Sequence, residues 1–214
     1  AVSLDRQSRH QLISDYVDVA ILRDVIERYG VSNITALRWM VRQLLGNAGS
    51  MFSVEKFYRS IKSQGLSIGK DTAHQLLSHL TNCFLVRTVW IEASSERQRM
   101  VNPRKTYPKD PGLIPIYDRT GSANIGHALE NAVYIELERR RAEVTYVRTS
   151  EGYEVDFLAR FPDGRSELLQ VCADPSTPET AEREIRALLS AGETHSSASM
   201  RLITLTHDSI PSEI

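Results

Sequence analysis

The sequence is poor in cysteine and has no long apolar run. Only Cys83 and Cys172 occur in 214 residues. Two thiols make no disulfide framework in a chain of this length, and they read as reduced thiols of a cytoplasmic protein. The longest apolar stretches last a few residues, as at 17–22, where Asp18 interrupts, against the roughly 18 that a spanning helix needs. No membrane insertion is expected. The opening Ala-Val-Ser-Leu-Asp-Arg lacks the basic and then apolar regions of a signal peptide, and without an initiator Met the chain reads as part of a longer protein. Net charge is also nearly absent, at −1. What is present is ordinary: 41% hydrophobic and 25% charged residues exclude wholesale disorder, a coiled-coil rod and a collagen-like chain.

The small net charge hides an asymmetry. Residues 1–120 hold 17 Lys or Arg against 11 Asp or Glu, and residues 121–214 hold 9 against 16. A basic half suits a polyanion, and an acidic half suits a metal site or a solvated surface. Pro103, Pro108, Pro111, Gly112, Pro115, Gly121 and Gly126 punctuate the junction, which divides the chain into domains 1–120 and 121–214.

In the first half, apolar residues recur at helical spacing over 12–29, in one or two pieces, and over 34–45. Ser53 is placed to cap a helix over 54–63. Gly65 makes a turn, and Ser67 opens a helix whose apolar face is Ala73, Leu76, Leu77, Leu80 and Phe84. Residues 85–93 and 99–107 alternate like strands, with Ser94–Glu96 as the turn, so a hairpin follows and the half reads as a winged helix-turn-helix. Lys70 and His74 project from the second helix of the pair. Arg97, Arg99, Arg104, Lys105 and Lys109 crowd residues 97–109 without one acidic residue, a density suited to a nucleic-acid backbone. The alternatives are a solvated hairpin or a protein-docking joint. Gly65-Leu-Ser-Ile-Gly69-Lys70-Asp71 is no phosphate loop: only three residues separate its glycines, and Asp71 stands where Ser or Thr belongs. His74 and His79, five apart, fall on different helix faces and make no metal pair.

The second half reads as helix (124–141), three strands (143–148, 153–161, 167–173), helix (from Thr177–Pro178 to Gly192) and strand (200–206). On the second strand, alternation puts Val155, Phe157 and Ala159 on one face and Glu154 and Asp156 on the other. The Asp163–Gly164 turn brings Gln170 and Cys172 beside Asp156, with Glu130 arriving from the preceding helix. Carboxylates and an amide so placed suit a hard cation.

The runs Gly126-His-Ala-Leu-Glu130-Asn131-Ala-Val-Tyr134, Tyr146-Val-Arg148-Thr149, Glu154-Val-Asp156-Phe157 and Gln170-Val-Cys172 resemble the C-terminal domain of unknown function of prokaryotic AAA-type (P-loop) ATPases. The resemblance extends back through Asn102 to Leu113 and the helix-turn-helix. It implies an α/β (α+β) chain in which a winged helix precedes a restriction-endonuclease-like αβββαβ core of the PD-(D/E)XK type. It also implies a degenerate catalytic site. Glu130 matches the helix Glu, Asp156 the metal-binding Asp and Gln170 the residue before the catalytic Lys, but Cys172 stands at the Lys position, where a neutral thiol supplies no positive charge. A cation from elsewhere, such as Arg148 or Arg160, would have to replace it. The expectation is therefore a regulatory or nucleic-acid-binding adaptor on an inactive nuclease-like fold. Its partners would be DNA and an upstream P-loop domain of the same chain that carries the ATP; no cofactor is expected within these residues beyond Mg²⁺ or Mn²⁺ at Asp156 and Glu130. The alternatives are a metal-dependent DNA nuclease and a protein-docking module.

Overall fold

The computed structural model describes residues 5–118 and 125–206. Among them eight α-helices and seven strands make a mixed α/β protein, and no helix is long and apolar enough to cross a membrane. The chain divides into two compact units, 1–88 with 106–123 and 89–105 with 124–214. Segment 89–105, read from sequence as part of the first half, thus packs with the second. The junction expected near residue 120 falls within 119–124, outside the described residues.

In the first unit, Asp5 accepts the Ser8 N–H and caps α1 (Arg6–Ala20), which runs on as a π-helical stretch, Ile21–Glu27. Val17, Ile21 and Val25 are its buried face. Asn33 caps α2 (Ile34–Gly46), and β1 (Met51–Phe52) precedes α3 (Val54–Ser63), capped by Ser53 as its sequence dictates. Helix α4 is Lys70–Asn82. It starts three residues after Ser67, because the cap is Gly69 in extended backbone. Gly65 turns the chain between α3 and α4 at φ +79°, a left-handed conformation that favours glycine. Leu37, Met40, Leu44 and Leu45 of α2, Phe57 and Ile61 of α3, and Leu76 and Leu80 of α4 form the core. A short 3₁₀ turn, Pro111–Leu113, leads into α6 (Ile114–Tyr117).

Strands β2 (Val86–Ile91) and β3 (Arg104–Pro108) are neighbours in the sheet, but the expected simple hairpin is corrected between them. Residues 96–101 form a helix, α5 (Glu96–Val101), rather than the turn and early strand. Ser95 accepts the Gln98 N–H as its cap, and Glu-Arg-Gln-Arg-Met are good helix formers. Met100 and Val101, the apolar residues of this segment, are both exposed and contribute no strand face to a core.

The second unit carries α7 (Ile125–Arg139), β4 (Glu143–Arg148), β5 (Glu154–Arg160), β6 (Ser166–Val171), α8 (Pro178–Thr194) and β7 (Ser199–Ile203). The strand order is β1-β3-β2-β4-β5-β6-β7. Strand β4 lies parallel to β2, β4 to β6 form an antiparallel meander, and β7 lies parallel to β6 after the α8 crossover. Val147, Val155, Leu158 and Leu168 pack against Ala187, Leu188 and Ala191 of α8.

Strict alternation on β5 is broken. Thr145 pairs with Leu158 but Val147 with Val155, so one residue of β4, Tyr146, opposes two of β5, Asp156 and Phe157. This is a β-bulge, which re-aims side chains. Phe157 therefore does not share the face of Val155: it stacks on Tyr134 of α7, at 6.1 Å between ring centroids, while Val155 packs with the α8 cluster.

Beyond the end of β2, Glu92 accepts two hydrogen bonds from the Arg160 guanidinium, at 2.7 and 3.1 Å, and one from Thr145 Oγ1 at 2.7 Å. Burial acts to raise the pKa of this carboxyl, but the Arg160 and Thr145 hydrogen bonds outweigh it and hold the group below the ordinary value of 4.5. A depressed carboxyl stabilises the fold above its unfolded pKa, and that contribution fades as pH falls through the folded value. Glu92→Gln is thus expected to cost about 1 kcal/mol near neutrality, given that the pair is partly screened by solvent, and progressively less below pH 4.5. Urea midpoints across pH check this; an equal loss in acid and at neutrality would refute it.

Candidate functional site

Lys105, at the second position of β3, is only 2% exposed. Its Nζ donates to Asp156 Oδ1 at 2.7 Å and to Glu130 Oε1 at 3.0 Å, and pairs with Glu154 Oε1 at 3.0 Å. All four residues belong to the second unit. Glu130 and Asp156 are each 8% exposed, so three charged groups lie together away from bulk water. Burial alone would lower the lysine pKa; the charges of Asp156, Glu130 and Glu154 outweigh it and hold the amine protonated, well above its ordinary range. The ammonium is the counter-charge that makes burying these carboxylates tolerable.

Local structure explains the placement. The bulge in β5 turns Asp156 toward α7, which contributes Glu130. The Tyr146 hydroxyl donates to the Pro103 carbonyl at 2.7 Å, pinning the chain two residues before Lys105. Arg104 lies over the Trp90 ring, its guanidinium 3.6 Å from the centroid, a cation–π contact that fixes the residue next to the lysine.

The sequence-derived site residues separate into two groups. Glu130 and Asp156 do meet, on Lys105. Gln170 reaches Asp156 only through the backbone, its Oε1 accepting the Asp156 N–H at 3.1 Å, and its Nε2 donates to Glu184 of α8 at 2.6 Å. Asp156 Oδ2 accepts the Val171 N–H at 2.8 Å. The Cys172 thiol is half-buried; burial and then the charge of Glu184 push its pKa up, so it is a neutral thiol on the Gln170–Glu184 side. Glu184 is also in close contact with the Arg183 guanidinium.

The nucleic-acid candidates fare unevenly. Lys105 is corrected: 2% exposed and paired with three carboxylates, its ammonium is turned inward and not presented to a phosphate backbone. Arg104 is half-buried on Trp90, and Arg99 pairs with Glu96 at 3.2 Å and approaches Glu143 at 4.0 Å. Lys70 pairs with Glu55 at 2.6 Å. His74 and Arg97 are exposed. A run of like charges in sequence becomes, in the fold, a set of side chains pointing to different partners.

Of the replacement cations, Arg160 is taken by Glu92 and Arg148 is exposed. Lys105 is the cation that reaches the acidic cluster, although its sequence context is that of a basic wing. One signal was available: residues 121–214 contain no lysine, so any lysine serving those carboxylates had to come from the first half. Carboxylate oxygens of Asp156, Glu130 and Glu154 already converge on one ammonium, and among the described residues no group of three or more His, Cys, Asp or Glu is disposed to hold a metal.

Fold and site together define a mixed α/β protein whose central acidic cluster is closed by an internal lysine. The chain belongs to a family defined by a domain of unknown function (DUF8612), whose model matches residues 1–122. It is 28% identical over 187 residues to an uncharacterized protein, MJ1544, of Methanocaldococcus jannaschii, covering 86% of this chain and 41% of that one. It is also 28% identical over 178 residues to an uncharacterized protein of Haemophilus influenzae, covering 83% of this chain and 44% of that one. The chain therefore spans less than half the length of these relatives. No solved structure matches it.

Proposed function

We propose that this chain is a non-catalytic regulatory module of a longer prokaryotic AAA-type ATPase, a winged helix joined to a nuclease-like core that Lys105 holds inactive. The observation that carries this reading is the direct contact of Lys105 Nζ with Asp156, Glu130 and Glu154 at 2.7–3.0 Å. In a metal-dependent nuclease the carboxylates bind the ion and a nearby cation assists the attacking water. Lys105 supplies a cation where Cys172 has none, yet its Nζ lies directly on the carboxylate oxygens that an ion would need, and Gln170 is committed to Glu184. The helix, three strands, helix and strand of the second unit match the order of such a core, and α3, α4, β2 and β3 follow the order of a winged helix. The relatives, more than twice as long as the matched segment, leave room for an ATPase engine elsewhere in the chain. Because Lys105 is buried and Arg104 and Arg99 are held by Trp90 and Glu96, leaving Arg97, His74 and Lys70 as the exposed candidates, our reading favours protein contact over DNA for the adaptor role.

The test is incubation of plasmid and single-stranded DNA with the protein in Mg²⁺ and in Mn²⁺. No cleavage above the background of an Asp156→Ala variant is expected. Cleavage that this substitution abolishes would replace the proposal with the nuclease reading.

A further inference from the structure

A cavity of about 740 Å³ lies within the first unit. That is the size of a small-molecule site. One wall is α2, where Trp39, Arg42, Gln43 and Gly46 recur at helical spacing and share a face. At Gly46 an added Cβ would lie 2.8 Å from the Tyr117 carbonyl oxygen, so α2 and α6 meet closely there and that part of the cavity is preformed.

The lining chemistry is specific. Trp39 leaves 42% of its surface exposed, a flat π-face on which a planar ring can stack. Arg42, one turn along, is exposed and forms no ion pair among the described residues, unlike neighbouring Arg38, which pairs with Asp18 at 3.4 Å. Arg42 lies within electrostatic reach of the half-buried Tyr117, whose hydroxyl is a second donor. Ser14, Ser60 and Gln43 also line the space.

We infer that this cavity binds a nucleoside monophosphate. The base stacks on Trp39. The phosphate takes the Arg42 guanidinium as a charge-assisted, two-pronged partner. The sugar hydroxyls suit Ser14, Ser60 and Gln43. Only Arg42 and His10 among the lining residues can carry positive charge, which matches a monophosphate and leaves the further charges of a triphosphate unpaired. The site is therefore distinct in chemistry from any ATP site elsewhere in the parent protein, and the inference stands independently of the role proposed for the second unit.

Fluorescence tests it directly, because the chain has two tryptophans. In the full chain carrying Trp90→Phe, Trp39 is the only reporter, and AMP is titrated, with adenosine and inorganic phosphate as comparisons. Saturable quenching by AMP is expected. Arg42→Ala, an exposed change that leaves the core intact, should weaken AMP about tenfold, the loss of one charge-assisted contact, and leave adenosine unchanged. Calorimetry of the unsubstituted protein should show the same AMP saturation. Absence of saturable AMP binding by both methods, or AMP affinity indifferent to Arg42→Ala, would overturn the inference.

Discussion

Replacing Lys105 by Ala is expected to lower the free energy of unfolding by about 3–5 kcal/mol, the usual cost of breaking a buried charge cluster from one side. The effect is large because the loss is not of one contact. Glu130 and Asp156, each 8% exposed, and the partly exposed Glu154 would be left close together without the ammonium they share. Lys105→Met, which keeps the length of the side chain, should lose nearly as much, and this separates lost charge from lost volume. The deficit should shrink as pH is lowered, because crowded carboxylates without the ammonium take up protons more readily in the folded state than in the unfolded chain. Urea unfolding at neutral and acid pH reads both effects. A loss below about 1 kcal/mol for both variants would mean that the cluster is a surface-like ion pair of little energetic weight.

Phe157→Ala should cost a similar amount, about 3–5 kcal/mol, the range for removing a buried aromatic ring. Phe157 is fully buried and stacks on Tyr134 of α7. It is also the second residue of the bulge that aims Asp156 at Lys105. The cavity left behind therefore loosens α7, the helix that carries Glu130. Phe157→Leu, which refills most of the volume, should recover more than half of the loss. Chemical denaturation checks both variants, and a near-neutral Phe157→Ala would show that α7 is held by contacts other than this ring.

Much of the fold could be read from local pattern. The helix over 54–63 and the strand over 143–148 have the residue ranges that capping and alternation indicate, because Ser53 and the β-rich run at 143–148 act within a few residues of themselves. The parallel strand after a crossover helix follows from Thr177–Pro178 opening α8 directly after the meander. Two features were not legible. Helix α5 lies in a segment whose few apolar residues mimic a strand, and its one local signal, the Ser95 cap, sits in a Ser-Ser-Glu run that suits a turn equally well. The bulge at Asp156–Phe157 leaves no mark in residue type, since it arises from how β5 pairs with β4, and a strict period of two then misplaces Phe157.

The site was half legible for the same reason. Glu130 and Asp156 could be brought together from the helix and strand that carry them. Lys105 is 25 and 51 residues away from them in sequence and belongs to a basic run whose members diverge in the fold. Arg104 turns to Trp90, Lys105 turns into the acidic cluster, and Arg97 remains exposed. Counting charges along the chain could not distinguish these fates. What decides them is the desolvation of Glu130 and Asp156, which demands a cation nearby.

The most direct test of a closed lysine–carboxylate cluster is calorimetric titration of Mn²⁺ into the unsubstituted protein and into Lys105→Met. The unsubstituted protein should give no binding heat at this site, and Lys105→Met, with the same carboxylates vacated by the ammonium, should bind Mn²⁺ and gain stability from it. Stoichiometric Mn²⁺ binding by the unsubstituted protein that Asp156→Asn abolishes would contradict the closed cluster and return the site to metal chemistry.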